Sequence, residues 1–248
     1  MKFFGLIPAR MESSRFPGKP LLDFFGLPMI VHVAKRAKLA RSLDSVVVCT
    51  DSYKIVEACQ RYGLDVCLTS AQCQNGTERV AEACRHLGLS DKDIIIDIQG
   101  DEPLLSPETI DNVASFSRDN DFEVVVPYLD LTTTDEDVNR VKLVTSGNRV
   151  VYMSRRNVPY NFINTTTMKK HLSIIGLRVP SLMKFAKLPQ GELEAIEGVE
   201  LLRAIENGMS VGTFKEFGDS LSVDTPADYE QAIRIIQKEP KYLEYGDA

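Results

Sequence analysis

The sequence predicts an α/β protein, an open and mostly parallel sheet flanked by helices, with an antiparallel lobe inserted in its second half. Two observations predict it. Over the first 130 residues short β-type runs alternate with helix-period patterns, the signature of parallel strands joined by crossover helices. Beyond residue 130 the spacing changes, and two strand-like runs flank Ser146-Gly147-Asn148 as an antiparallel hairpin would. The expected division is one domain, with a core of residues 1–130 and 209–240 and a lobe of about 131–208.

The elements follow in order. Residues 3–9 form a buried strand, and residues 28–40 a helix with Met29, Ile30, Val33 and Ala37 on one face. Residues 45–50 make a second strand whose Val46-Val47-Val48 is apolar on both sides, as a central parallel strand requires. A helix over 52–62, a short strand over 65–68 and a helix over 77–87 with Thr77 as N-cap come next. Residues 93–98 form an isoleucine-rich strand, and Ser106-Pro107-Glu108 opens a helix with proline at its first position. Strands are expected over 122–128, 141–145, 149–153, 172–179 and 209–217, while 156–170 is too polar to assign. A helix over 192–207 closes on Gly208, and Thr225-Pro226-Ala227-Asp228 caps a C-terminal helix that gives way to a frayed tail from Lys238.

Composition narrows the function classes. The 248 residues carry 29 Lys plus Arg against 35 Asp plus Glu, a net charge of −6, with 44% hydrophobic and 26% charged residues. That balance is globular and mildly acidic, which argues against binding nucleic acid through general phosphate neutralisation. Any anion must therefore meet a local basic cluster. No apolar run approaches the ~18 residues that cross a bilayer, so no membrane partner is expected. The five cysteines, Cys49, Cys59, Cys67, Cys73 and Cys84, include no Cys-x-x-Cys pair and read as reduced thiols of a cytoplasmic protein.

The local basic cluster exists. The stretch from Pro8 to Pro20 follows the first strand and gathers Arg10, Arg15 and Lys19 with Ser13, Ser14 and Gly18. In an open α/β sheet ligands sit outside the carboxyl ends of the strands, and cations, hydroxyls and backbone amides there can surround a polyphosphate. The glycine spacing is neither that of a P-loop nor that of a dinucleotide fingerprint. The second feature is Gln99-Gly100-Asp101-Glu102-Pro103 at the end of the isoleucine-rich strand. A carboxylate in that position suits Mg²⁺ held jointly with substrate phosphates; Asp224, before the capped C-terminal helix, is a candidate second ligand. His32, among apolar residues at helical spacing, reads as packing, and His86 as a surface residue.

Six ordered motifs then carry a resemblance over nearly the whole chain. Residues 7–21 resemble Ile-Pro-Ala-Arg … Ser-[ST]-Arg-[LF]-Pro-Gly-Lys-Pro-Leu, and Pro28-Met29-Ile30-Val31-His32-Val33, Thr50-Asp51, Gly76-Thr77-Glu78-Arg79, residues 99–103 and Val223-Asp224-Thr225-Pro226 follow in sequence. This pattern is similar to that of the CMP-Kdo synthetase family, the 3-deoxy-manno-octulosonate cytidylyltransferases. The resemblance implies a GT-A-like nucleotidyltransferase fold and a reaction joining CTP to a 2-keto sugar acid with release of pyrophosphate. It places Arg10, Ser14, Arg15 and Lys19 on the triphosphate and Ala9 among the nucleotide-binding residues, with Arg10, Arg15, Lys19 and Asp101 at the reacting centre. Gln74, Gly76 and Thr77 fall by the cytosine with Arg79 nearby, and Asp101 and Asp224 on Mg²⁺. Gln99, Arg155, His171 and Glu200 fall on the acceptor. It further implies a cytoplasmic homodimer serving lipopolysaccharide biosynthesis.

Two positions depart from that pattern. Ile175 stands where a tyrosine usually follows the histidine, and Leu201 where a glutamine usually follows the helix glutamate. Losing two polar groups points to an altered ulosonic acid, or to another small acid such as a phosphonate. A sugar-1-phosphate nucleotidylyltransferase using another nucleotide, and a non-catalytic nucleotide-binding module, are the competing readings; paired metal carboxylates speak against the latter.

Overall fold

The computed structural model describes residues 1–12, 16–131, 137–160, 162, 167–218, 221–239 and 245. In chain order they form β1 (Phe3–Ala9), a 3₁₀ turn (Lys19–Leu21), β2 (Asp23–Phe24), β3 (Leu27–Pro28), α1 (Met29–Ala37), β4 (Ser45–Thr50), α2 (Tyr53–Arg61) and β5 (Asp65–Leu68). Then come α3 (Gly76–His86), β6 (Ile94–Ile98), α4 (Pro107–Asp119), β7 (Val124–Leu131), β8 (Lys142–Ser146), β9 (Arg149–Ser154) and β10 (Met168–His171). The described chain closes with β11 (Ile174–Arg178), α5 (Val179–Phe185), α6 (Glu192–Glu197), α7 (Leu201–Glu206), β12 (Val211–Lys215) and α8 (Pro226–Ile236).

One ten-stranded sheet, in the order β10-β8-β9-β12-β7-β11-β6-β1-β4-β5, organises everything except the β2-β3 hairpin. The wing β6-β1-β4-β5 is parallel throughout, β12 runs parallel to β7, and β11 lies antiparallel between β6 and β7. The antiparallel strands expected from residues 131–208 are present, and they continue the same sheet. Strand composition explains the burial. Ile94, Ile95, Ile96 and Ile98 of β6 are fully buried, each contributing about 1.5–3 kcal/mol relative to exposure. An ionisable residue, Asp97, interrupts that run and is 2% exposed. Apolar clusters cover both faces of the sheet, and a third, built on Phe24, Met29, Leu104, Val223, Ala232 and Ile236, seats α8 against the β2-β3 hairpin.

β1 and β6 run side by side with Leu6 opposite Asp97, so their carboxyl ends emerge together. The Pro8-to-Lys19 segment and the Gln99-Gly100-Asp101 turn therefore share one edge. Gly100 is needed there, because a Cβ on it would stand 2.9 Å from the Pro8 carbonyl oxygen.

Several expectations change. The α3 cap is Asn75, not Thr77; the Asn75 carboxamide oxygen accepts from the Glu78 amide at 2.8 Å, leaving Thr77 inside the first turn. The single helix expected over 192–207 breaks at Gly198, whose φ of 61° ends α6, and Glu200 becomes the N-cap of α7. Helix α5 follows β11 directly, with Pro180 in its first turn. The frayed tail falls mostly outside the described residues; Tyr245 is buried, with its ring 5.5 Å from that of His32. His32 is packing, as expected, with Nε2 2.6 Å from the Phe24 carbonyl oxygen. All five cysteines are free thiols. No helix among the described residues is long and apolar enough to cross a membrane.

Candidate active site

At the carboxyl end of β1 the chain enters a loop closed by backbone hydrogen bonds, with the Gly18 amide donating to Met11 O at 3.1 Å and the Lys19 amide to Phe16 O at 3.3 Å. Gly18 has φ 74°, a left-handed conformation that glycine adopts without penalty, and it delivers Lys19 to the start of the 3₁₀ turn. Ser14 and Arg15 lie outside the described residues. A cleft of about 310 Å³ opens beside this loop. Its wall includes Ala9 at the end of β1, Arg10 and Lys19 from the loop, Gln74 before α3, Gly76 and Arg79 in its first turns, Gln99 and Asp101 from the β6 turn, and Asp224 before α8. Residues remote in sequence thus meet around one cavity.

The centre of that wall is an ion-pair cluster. The Lys19 ammonium lies 2.5 Å from Asp101 Oδ2 and 3.0 Å from Asp224 Oδ1, and donates to Val223 O at 3.2 Å. Burial by itself would lower its pKa; the two carboxylates outweigh that and leave it above the ordinary lysine value. A cation between the two aspartates is the arrangement expected if they share a metal, and here the stand-in cation belongs to the chain itself. Among the described residues no group of three or more His, Cys, Asp or Glu side chains gathers as a metal site. A two-carboxylate set fits Mg²⁺, which usually completes its shell with water and substrate phosphates.

The wall continues onto the start of α3. α3 begins on the cleft, its first residue Gly76 packed against Pro8 and its Asn75 cap on the wall. Arg79, 3% exposed, reaches the cleft while held by Asp51 at 3.2 Å and Thr69 Oγ1 at 2.6 Å. Arg10 is exposed, its Nη1 3.5 Å from Gln74 O. Thr77 is buried and is not on the cleft wall.

Acceptor candidates behave differently. Gln99 donates from Nε2 to Asp97 Oδ1 at 3.0 Å. Burial, with the nearby Glu200 charge adding to it, pushes the Asp97 carboxyl up to about 8. Burial also raises Glu200, against the pull of the Thr77 hydroxyl and the Arg203 charge. Arg155, His171 and Glu200 are not on the cleft wall. The Arg155 guanidinium donates to Val138 O, Glu197 O and Gly198 O, so it braces the loop before α7. His171 has its Nε2 buried without a hydrogen-bond partner, and burial lowers its pKa to about 4.

Sequence reasoning passed over Asn75 and Asp97. Both left a signal: Asn75 precedes Glu78 by the three residues of a capping box, and Asp97 is the single charge in Ile94-Ile95-Ile96-Asp97-Ile98.

The chain is similar to known proteins over nearly its whole length. A sequence profile described as Cytidylyltransferase matches residues 4–211. The 8-amino-3,8-dideoxy-manno-octulosonate cytidylyltransferase of Shewanella woodyi is 40% identical over 238 residues, covering 94% of this chain and 96% of that protein. The 3-deoxy-manno-octulosonate cytidylyltransferase of Zea mays is 42% identical over 242 residues, covering 94% and 80%. A solved CMP:2-keto-3-deoxy-manno-octonic acid synthetase in complex with CTP superposes with a TM-score of 0.90 at 32% identity, covering 96% of this chain and 99% of its own.

Proposed function

Because the chain belongs to the cytidylyltransferase family, we propose that it transfers the cytidylyl group of CTP to a 2-keto-3-deoxy sugar acid, Kdo or a modified relative. The products are a CMP-sugar and pyrophosphate. The observation that carries this reading is the convergence of Lys19, Asp101 and Asp224 at the edge where β1 and β6 end. An acceptor hydroxyl oxygen forms the new bond to the α-phosphorus while the bond to pyrophosphate breaks, so the protein's task is alignment and compensation of negative charge. Arg10 and Lys19 bring positive charge to the triphosphate. The α3 amino end and the fixed Arg79 frame the base. Gln99, held by Asp97, presents its remaining carboxamide oxygen toward the acceptor. Asp101 and Asp224 would hold Mg²⁺, which when bound neutralises phosphate charge and lowers the pKa of the attacking hydroxyl.

The test is pyrophosphate release from CTP, Mg²⁺ and Kdo, with Asp101→Asn as control. The expected result is turnover by the wild type and a loss of about 10²-fold or more in the variant. Absence of turnover across a panel of ulosonic acids, or an undiminished variant, overturns the reading.

One observation favours an amino-substituted acceptor within this class. Ile175 pairs with Asp97 across β11 and β6, so the departure from the family pattern adjoins a buried acid, with Glu200 as a second acid nearby. An acceptor end bearing an ammonium in place of a hydroxyl suits that environment, and the Shewanella relative is named for such an acid. With equal Kdo and 8-amino-3,8-dideoxy-manno-octulosonate in competition, mass spectrometry is expected to show the amino product predominating; an excess of CMP-Kdo rejects this preference. A homodimer in the cytoplasm completes the proposal. Free thiols support the compartment, and exposed Tyr160, Phe162 and Phe217, which follow β9 and its sheet neighbour β12, support a surface between two copies.

A further inference from the structure

Lys19 is held more completely than a lysine waiting for phosphate needs to be. An ammonium has three N–H donors, and its three partners here are Asp101 Oδ2, Asp224 Oδ1 and Val223 O. Its side chain is 14% exposed, and the backbone bearing it is fixed by the Gly18 turn and the 3₁₀ hydrogen bonds. The same two carboxylates form the proposed metal site. A divalent ion arriving alone would have to take two of the ammonium's three acceptors, both of them its charged partners, in a largely buried position, while gaining only two protein ligands. A triphosphate changes both sides of that exchange. Its oxygens offer Lys19 new acceptors, and the same oxygens complete the shell of a metal on the vacated carboxylates.

We propose that Lys19 is an internal counter-cation that closes the Asp101–Asp224 pair to divalent ions until a nucleoside triphosphate draws it away, so that metal and nucleotide enter together. This rests on the reading of Asp101 and Asp224 as the metal ligands. The linkage is reciprocal: whatever factor nucleotide adds to metal affinity, metal adds to nucleotide affinity. Lys19 thereby has two stations, the carboxylates in the empty protein and the triphosphate in the loaded one, and the first keeps the site from filling with metal unproductively.

The experiment follows Mn²⁺ by its electron paramagnetic resonance signal, without nucleotide, in the wild type, Lys19→Met and Lys19→Gln, with unfolding midpoints confirming that each is folded. Wild-type protein is expected to bind weakly, and both variants to bind about tenfold or more tightly, the gain disappearing when Asp101→Asn is added. Equal affinity in all three proteins, including no binding by any, overturns the proposal, as does tight binding by the wild type alone. A separate arm adds CTP to the wild type and to Asp101→Asn. If Mn²⁺ on the protein–CTP complex ignores that substitution, the metal assignment itself falls, whichever way the Lys19 comparison comes out.

Discussion

Asp97 illustrates how one side chain can work against the fold that holds it. Its carboxyl rises from an ordinary 3.8 to about 8 through burial and the neighbouring Glu200 charge. The folded state therefore keeps a proton that the unfolded chain releases between those values, and stability falls as pH rises through that window. Asparagine does not titrate. Asp97→Asn is expected to raise the thermal midpoint at pH 8, by the equivalent of a few kcal/mol at most, and to change it little near pH 4. Thermal unfolding across that range checks it, and a constant difference at all pH values would reject the assignment. At this scale much was legible. Arg10, Lys19, Asp101 and Asp224 announce themselves by charge at strand and helix boundaries, and they line one cleft. The partnership of Lys19 with both aspartates was not, because it depends on contacts across 82 and 205 residues of chain.

Among elements, the strands of the parallel wing are the most faithfully written. β1 and β4 have the bounds their aliphatic runs dictate, since a strand apolar on both faces has no other stable place, and the short edge strand β5 also falls at the residues expected. Elements whose stability comes from neighbours were harder to see. β10 is built from Met168-Lys169-Lys170-His171, and its pairing to β7 and β8 supplies what its composition does not. The α6–α7 break depends on one left-handed glycine within an otherwise helical pattern. α3 matters most for function, because its capped end forms part of the cleft. Asn75→Ala removes the acceptor for the Glu78 amide, with an expected cost of about 1 kcal/mol in stability and a weaker affinity for CTP. Calorimetry of CTP binding beside a denaturant titration measures both; unchanged affinity would separate the cap from the site.

For the molecule as a whole, strand order is the property that local patterns did not contain. Composition marks β11 as a strand, yet nothing in its five residues says that it enters antiparallel between β6 and β7. That insertion joins the parallel wing to the antiparallel end through continuous backbone hydrogen bonding. Among the described residues a sheet stitched this way offers no seam along which two lobes could swing as rigid bodies, so capture of substrates falls to side chains and connecting segments. Small-angle scattering is expected to report the mass of two chains and an envelope that CTP leaves unaltered; a contraction on adding nucleotide would reveal a hinge that the sheet does not provide. Substitutions that tune acceptor choice should then act locally, through the residues they touch, with no interdomain angle for them to shift.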